Sequence, residues 1–315
     1  MARLIDRQRP KSARLSTVVP LKEGQGELPV YFIYAGPSEF RIARHMGGSH
    51  PVFGIEARWP LAWRNALSDN RTSDFPSMQQ MVAPYVAALS AHTGSSPCAL
   101  AGLSYAGLIA FEAAHQLQEL GGNVEVVLLI DAQAQPPNPF KLAWRVWRQD
   151  WKQLPNGLST RGVFQSLGSR MGSSWRSTLW LLGKVKNRLW SFFKRPEPDQ
   201  DTLTGIQDEQ GMPLPWGLLD RLYSKIDKTY HLRSLDSRGV LLRTTEIEGR
   251  QVIAPDDTLG WGNLFTQGLE IIPIAGDHYS IFGEQIPTIA REMDRVLKQR
   301  SKGQDDKVSI NASKP

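Results

Sequence analysis

The chain has 315 residues, with 37 Lys+Arg against 31 Asp+Glu for a formal net charge of +6 and a hydrophobic fraction of 41%. This is the composition of a folded chain, long enough for one large α/β domain or two smaller ones, and it excludes a disordered protein. One cysteine, Cys98, excludes an internal disulfide framework and a multi-cysteine metal site and points to a reducing, cytoplasmic setting; no apolar run approaches the ~20 residues of a membrane helix, and the basic start lacks the apolar stretch of a secretory signal.

In chain order, residues 1–25 are polar and basic and read as a flexible N-terminal segment. A host domain then alternates strands and helices. Residues 29–34 are an apolar run ending in Ala35-Gly36-Pro37-Ser38, a strand and its loop, and residues 51–55 read as a second strand. Apolar spacing predicts a helix over 78–93, a short strand over 98–102 and a helix over 108–120 stopped by Gly121-Gly122. Residues 124–130 are continuously apolar, the pattern of a strand covered on both faces. Strands over 239–243 and 269–274 and a last helix over about 286–297 complete the host, which occupies 26–139 and 216–299; residues 300–315 read as a disordered tail. Strands separated by helices predict a mostly parallel central sheet with helices on both faces.

Between the two host parts the composition changes. From residue 140 to 195 there are 12 Lys/Arg and one acid, a net +11, so the remainder of the chain sums to −5. The same stretch holds six of the ten tryptophans and is flanked by proline-rich turns at 136–139 and 195–198. It reads as a helical insertion spanning 140–215. Trp144, Trp147 and Trp151 are spaced i, i+3, i+7, one face of a helix. Packing on the host with solvated charges accounts for such a stripe as well as a functional role does.

The stretch most informative about chemistry is Gly102-Leu103-Ser104-Tyr105-Ala106-Gly107, set between a predicted strand and a predicted helix. It has the layout of a nucleophile elbow, in which a serine sits on a strand-to-helix turn too tight for large neighbours. Ala106 replaces the second glycine of the usual G-x-S-x-G, and Gly107 follows one position later. An ordinary turn with a solvent-facing serine satisfies the same five residues. A nucleophilic serine needs a base and the base an orienting acid. His278, in the loop Gly276-Asp277-His278-Tyr279-Ser280 after the last predicted strand, is the histidine placed for that role. Asp131 ends the 124–130 strand, 27 residues after Ser104, and is the favoured acid, with Glu246, Asp256 and Asp257 as alternatives after the next host strand.

These pieces, with Leu128-Leu129-Ile130-Asp131 and Leu259-Gly260-Trp261, make the chain resemble the thioesterase domains of nonribosomal peptide and polyketide synthases, of the α/β-hydrolase superfamily, from about residue 16 to 297. The resemblance implies a catalytic Ser104, His278 and Asp131, an oxyanion hole of the Gly36 and Tyr105 backbone N–H groups, and no bound cofactor or metal, the substrate arriving on phosphopantetheine. It implies that the insertion is a lid, with Trp144, Trp147 and Trp151 lining an acyl pocket. With the +11 charge, it suggests that Arg145, Arg148 and Lys152 dock an acidic acyl or peptidyl carrier domain. The expected activity is release of an acyl or peptidyl chain by hydrolysis or cyclisation, from a discrete protein or a terminal domain of a larger one. An acyltransferase or ester hydrolase of the same fold and a non-catalytic hydrolase-like binding module are the alternatives. Membrane-surface contact through the basic tryptophan helices is a lesser expectation, and nucleic-acid binding is not expected, since no such motif is present.

Overall fold

The computed structural model describes residues 16–25, 28–134, 203–247, 250–251 and 258–298. The chain divides into two compact units, 1–136 with 202–315, and 137–201. The second lies outside the described residues, and with it Trp144, Trp147, Trp151, Arg145, Arg148 and Lys152; Asp256 and Asp257 lie outside them too.

The first unit runs β1 (Ser16–Lys22), β2 (Val30–Ile33), α1 (Pro37–His45), β3 (Val52–Trp59), α2 (Leu61–Ser68), α3 (Met78–Thr93), β4 (Pro97–Leu103), α4 (Tyr105–Glu119) and β5 (Asn123–Ile130). It continues with β6 (Leu203–Asp208), β7 (Pro213–Pro215), α5 (Trp216–Thr229), β8 (Arg238–Thr244), the small hairpin β9 (Glu246–Ile247) and β10 (Arg250–Gln251), β11 (Leu269–Ile274) and a final helix α6 over 286–298. Nine strands form one sheet in the order β11-β8-β5-β4-β2-β3-β6-β7, with β1 alongside β3. Every pairing from β11 through to β6 is parallel; β1 on β3 and β7 on β6 are antiparallel. This is the mostly parallel α/β sheet that the alternation of elements predicts.

Alternation along each strand sends side chains to two separate cores. Val126, Leu128 and Ile130 of β5 and Val30 and Phe32 of β2 pack with Ile42 of α1 and with Ile286, Ile289 and Met293 of α6. Val127 and Leu129 of β5 and Tyr31 and Ile33 of β2 face the other way, onto Met81 and Tyr85 of α3, Ile109 and Ala113 of α4, and Leu222 and Ile226 of α5. A strand buried on both faces has no polar side to offer, which is why β5 reads as an unbroken apolar run.

Local signals fix the helix ends. Ser77 accepts from the Gln80 N–H at 3.2 Å and the Gln80 side chain accepts from the Ser77 N–H at 2.9 Å, a capping box that starts α3. Gly121, at φ 83°, lets Gly122 N–H reach Leu117 C=O at 2.9 Å and closes α4.

Two expectations are corrected. Residues 16–22, assigned to a flexible N-terminal segment, form β1, whose backbone is satisfied by pairing with β3. Residues 203–208 and 213–215, assigned to the helical insertion, are strands continuing the sheet past β3. Asp208 anchors that end: it is fully buried, pairs with Arg64 and accepts from the N–H groups of Gln210 and Met212 at 2.9 Å.

Candidate active site

Parallel register builds the site at the carboxyl ends of the central strands. Leu103 of β4 pairs with Ile130 of β5, and Ile130 with Leu242 of β8. The residues that follow the first pair, Ser104 and Asp131, therefore leave the sheet side by side despite being 27 positions apart. Both have left-handed backbones, φ 52° for Ser104 and 46° for Asp131, uncommon for non-glycine residues and enriched where a turn is held for function. Ser104 N–H donates to Ile130 C=O at 2.8 Å, and Asp131 N–H to Leu242 C=O at 2.7 Å, so each turn is pinned to the neighbouring strand.

The elbow explains its own sequence. A Cβ on Gly102 would run into the Ala106 carbonyl, so position 102 must be bare. Ala106 is buried without obstruction, while a Cβ on Gly107 would collide with the Cβ of Ala132. The glycine required for close packing is thus the one at 107, and the alanine at 106 does not disturb the turn.

His278 joins Ser104 and Asp131 into a relay. Ser104 Oγ lies 3.0 Å from His278 Nε2, and His278 Nδ1 lies 2.7 Å from Asp131 Oδ2. The other carboxylate oxygen of Asp131 accepts from the Thr244 N–H at 2.9 Å. Burial of Asp131 opposes its charge, but the hydrogen bond and charge of His278 and the Thr244 N–H outweigh it, holding the carboxyl below its ordinary range. The His278 side chain is 43% exposed and that of Asp131 8%, so the imidazole spans from a buried acid to an accessible hydroxyl.

The loop carrying His278 is braced on both sides. Asp277 Oδ1 accepts from the N–H groups of Tyr279 and Ser280 at 3.0 and 3.1 Å, and Gly276 takes φ 95°. Glu246 accepts from the Gly276 N–H at 3.3 Å. Glu246, an alternative acid in the sequence, therefore supports the loop's backbone, and Nδ1 of His278 is taken by Asp131. Four of the other histidines make structural bonds: His45 to Arg41 C=O, His50 to Leu28 C=O, His92 to the Tyr31 hydroxyl and His115 to Arg233 C=O.

The two candidate oxyanion donors flank the serine. Tyr105 is the first residue of α4. β2 pairs with β4 as far as Phe32 opposite Ala101, so the turn Tyr34-Ala35-Gly36 leaves the sheet beside the elbow. Gly36 caps α1, and a Cβ there would come within 2.7 Å of Glu39 Oε2. Glu39 is buried, which pushes its carboxyl up to about 7 against the pull of the Glu39 and Gly36 N–H groups. The Gly36 amide is thus shared with a buried acid that sequence reasoning missed; its signal is the spacing from the Gly36 cap to a glutamate three residues on.

Tyrosines surround these turns. Tyr105 stacks on Tyr223 of α5 with ring centroids 3.7 Å apart and planes at 19°, and the Tyr223 hydroxyl lies 3.3 Å from that of Tyr34. Tyr223 was also missed, though Leu219, Leu222, Tyr223 and Ile226 carry a legible i, i+3, i+4, i+7 stripe. Trp261 lies behind the acid: fully buried, it donates its indole N–H to Ala132 C=O at 2.8 Å, so Leu259-Gly260-Trp261 is a structural prop of the Asp131 turn. Among the described residues, no three His, Cys, Asp or Glu side chains gather to hold a metal, and no helix is long and apolar enough to cross a membrane.

The sheet order is that of the α/β-hydrolase fold, of the thioesterase type. More particularly, the chain resembles the thioesterase domains of nonribosomal peptide synthetases. Residues 56–141, which include Ser104 and Asp131, match the family model described as thioesterase domain. An atromentin synthetase of Suillus grevillei is 30% identical over 157 residues, covering 49% of this chain and 15% of the relative. The chain thus spans about one seventh of that curated relative. Among solved structures, the NocB thioesterase domain, held as a covalent complex with a fluorophosphonate nocardicin G analogue, has a TM-score of 0.51 at 17% identity, covering 90% of this chain and 99% of that one. A four-domain nonribosomal peptide synthetase also has a TM-score of 0.51, at 18% identity, covering 94% of this chain and 21% of that one.

Proposed function

We propose that this protein is a serine thioesterase that releases acyl or peptidyl chains from a phosphopantetheine thioester on a carrier domain. The observation that carries the reading is the Ser104–His278–Asp131 relay at the carboxyl edge of the sheet. In this mechanism Ser104 Oγ attacks the thioester carbonyl as His278 Nε2 takes its proton. The Tyr105 and Gly36 N–H groups receive the oxyanion, and Asp131 holds the Nδ1–H and supports the imidazolium. His278 then protonates the leaving thiol, giving an acyl-serine and free pantetheine thiol. Water, or an amine or hydroxyl of the chain itself, resolves the ester by the reverse sequence of proton transfers.

Incubation with a fluorophosphonate, read by intact mass, tests the nucleophile. One adduct on the wild type, lost in both Ser104→Ala and His278→Ala, is expected. Labelling that persists in Ser104→Ala would move the nucleophile elsewhere. No labelling of folded wild type would favour a non-catalytic binding module. Product analysis of a turned-over thioester, with water or an added amine or alcohol as acceptor, separates hydrolysis from acyl transfer.

A further inference from the structure

The two turns that flank the nucleophile are both strained. Tyr34 sits at φ 81° and Ser104 at φ 52°, neither a glycine. Such conformations persist only where surrounding contacts over-determine them. One side chain reaches both turns. The Tyr223 ring stacks on Tyr105, the residue after Ser104, and its hydroxyl meets that of Tyr34, two residues before Gly36. Tyr223 is 4% exposed, so the contacts are made within the core. Its helix is itself fixed from outside the site: Arg221 donates to Leu67 C=O at 3.2 Å, and Lys225 to Phe75 C=O at 3.2 Å. A second ring backs Tyr34, with Tyr85 edge-on at 6.1 Å.

We infer that Tyr223 is a positioning residue that sets the separation of the Gly36 and Tyr105 backbone N–H groups across the nucleophile. The inference rests on the thioesterase reading of those two amides. Tyr223 acts on neither substrate nor reacting atoms directly but through the two turns it bridges. Donors to a developing oxyanion lose much of their effect when displaced by a fraction of an ångström, so slack between the turns lowers turnover more than substrate binding.

The test compares Tyr223→Phe, which keeps the ring stack and removes the hydroxyl contact, with Tyr223→Leu, which removes both. Active sites are titrated with fluorophosphonate. kcat and KM are then measured per titrated site on a short-chain N-acetylcysteamine thioester, with affinities for an alkyl trifluoromethyl ketone, which forms a tetrahedral adduct, and for the matching thioether, which does not. Tyr223→Phe should lower kcat about threefold and Tyr223→Leu about a hundredfold, the scale of losing an oxyanion donor. KM and thioether affinity should hold within twofold, and ketone affinity should fall in step with kcat. Unchanged kcat per titrated site and unchanged ketone affinity in both variants would overturn the inference, whatever happened to melting temperature. So would equal losses of ketone and thioether affinity, the mark of a collapsed pocket. A wild type that fluorophosphonate does not label would instead overturn the reading of Ser104, and this inference with it.

Discussion

At the scale of the residue, two positions beside the nucleophile separate pattern from physics. The usual pattern places the second glycine at 106, yet packing against Ala132 places the need at 107. Ala106→Gly, which restores the pattern, should cost up to about 1 kcal/mol of helix stability and leave fluorophosphonate labelling intact. Gly107→Ala should cost about 2–3 kcal/mol as overpacking and slow labelling, because Ala132 directly follows Asp131. Glu39 gives a prediction in pH. Its carboxyl moves from an ordinary 4.5 to about 7 on folding, chiefly through burial. The folded chain therefore holds a proton that the unfolded chain releases between those values. Stability from this group is fully present below about 4.5, falls as pH rises through 7 and is level above. Denaturant unfolding from pH 4.5 to 8 should show the wild type losing roughly 3 kcal/mol relative to Glu39→Gln across that window. Parallel curves would mean that the proton is not held.

At the scale of the element, supports outnumber reacting groups. Trp261→Phe strands the Ala132 carbonyl that the indole N–H satisfies, and should cost about 1–3 kcal/mol, seen as a lower denaturation midpoint with an unchanged slope. How far such elements were legible depended on whether their signal was local. α3 begins and ends where its apolar spacing puts it, because Ser77 and Gln80 cap it within one turn. β11 likewise matches its apolar run, and the elbow, the Asp131 strand end and the His278 loop were readable because strand, turn and helix signals fall in order. β1 was not, since its backbone partners lie in β3, at least 30 residues away. α1 hid behind Gly36-Pro37, which reads as a loop although proline is at home in a first helical turn. Glu39 and Tyr223 carry local spacing signals, one of a helix cap and the other of a buried helix face, but what each side chain meets there is a fact of tertiary packing.

At the scale of the whole molecule, charge is the feature to test. A net +11 over residues 140–195 against −5 elsewhere gives the chain a strongly uneven field. Under the proposed function this basic stretch meets an acidic carrier domain. Charge reversal at Arg145, Arg148 and Lys152 together should raise KM for a carrier-loaded thioester about tenfold at low salt, with the difference shrinking as salt screens it. A free short-chain thioester should be turned over as before; equal losses on both substrates would remove the docking role.

The chain leaves the sheet after β5, an inner strand, and rejoins it at β6, next to the edge strand β7. The rungs of β4 on β5 and of β5 on β8 join residues 97–103, 123–130 and 238–242, all outside the stretch between the crossing points near residues 136 and 202. Exchanging the stretch between them for that of a relative would cut no rung of the ladder that sets Ser104 beside Asp131. A series of such chimeras would leave every residue of that ladder as it is, so that graft and parent can be compared on one unchanged sheet.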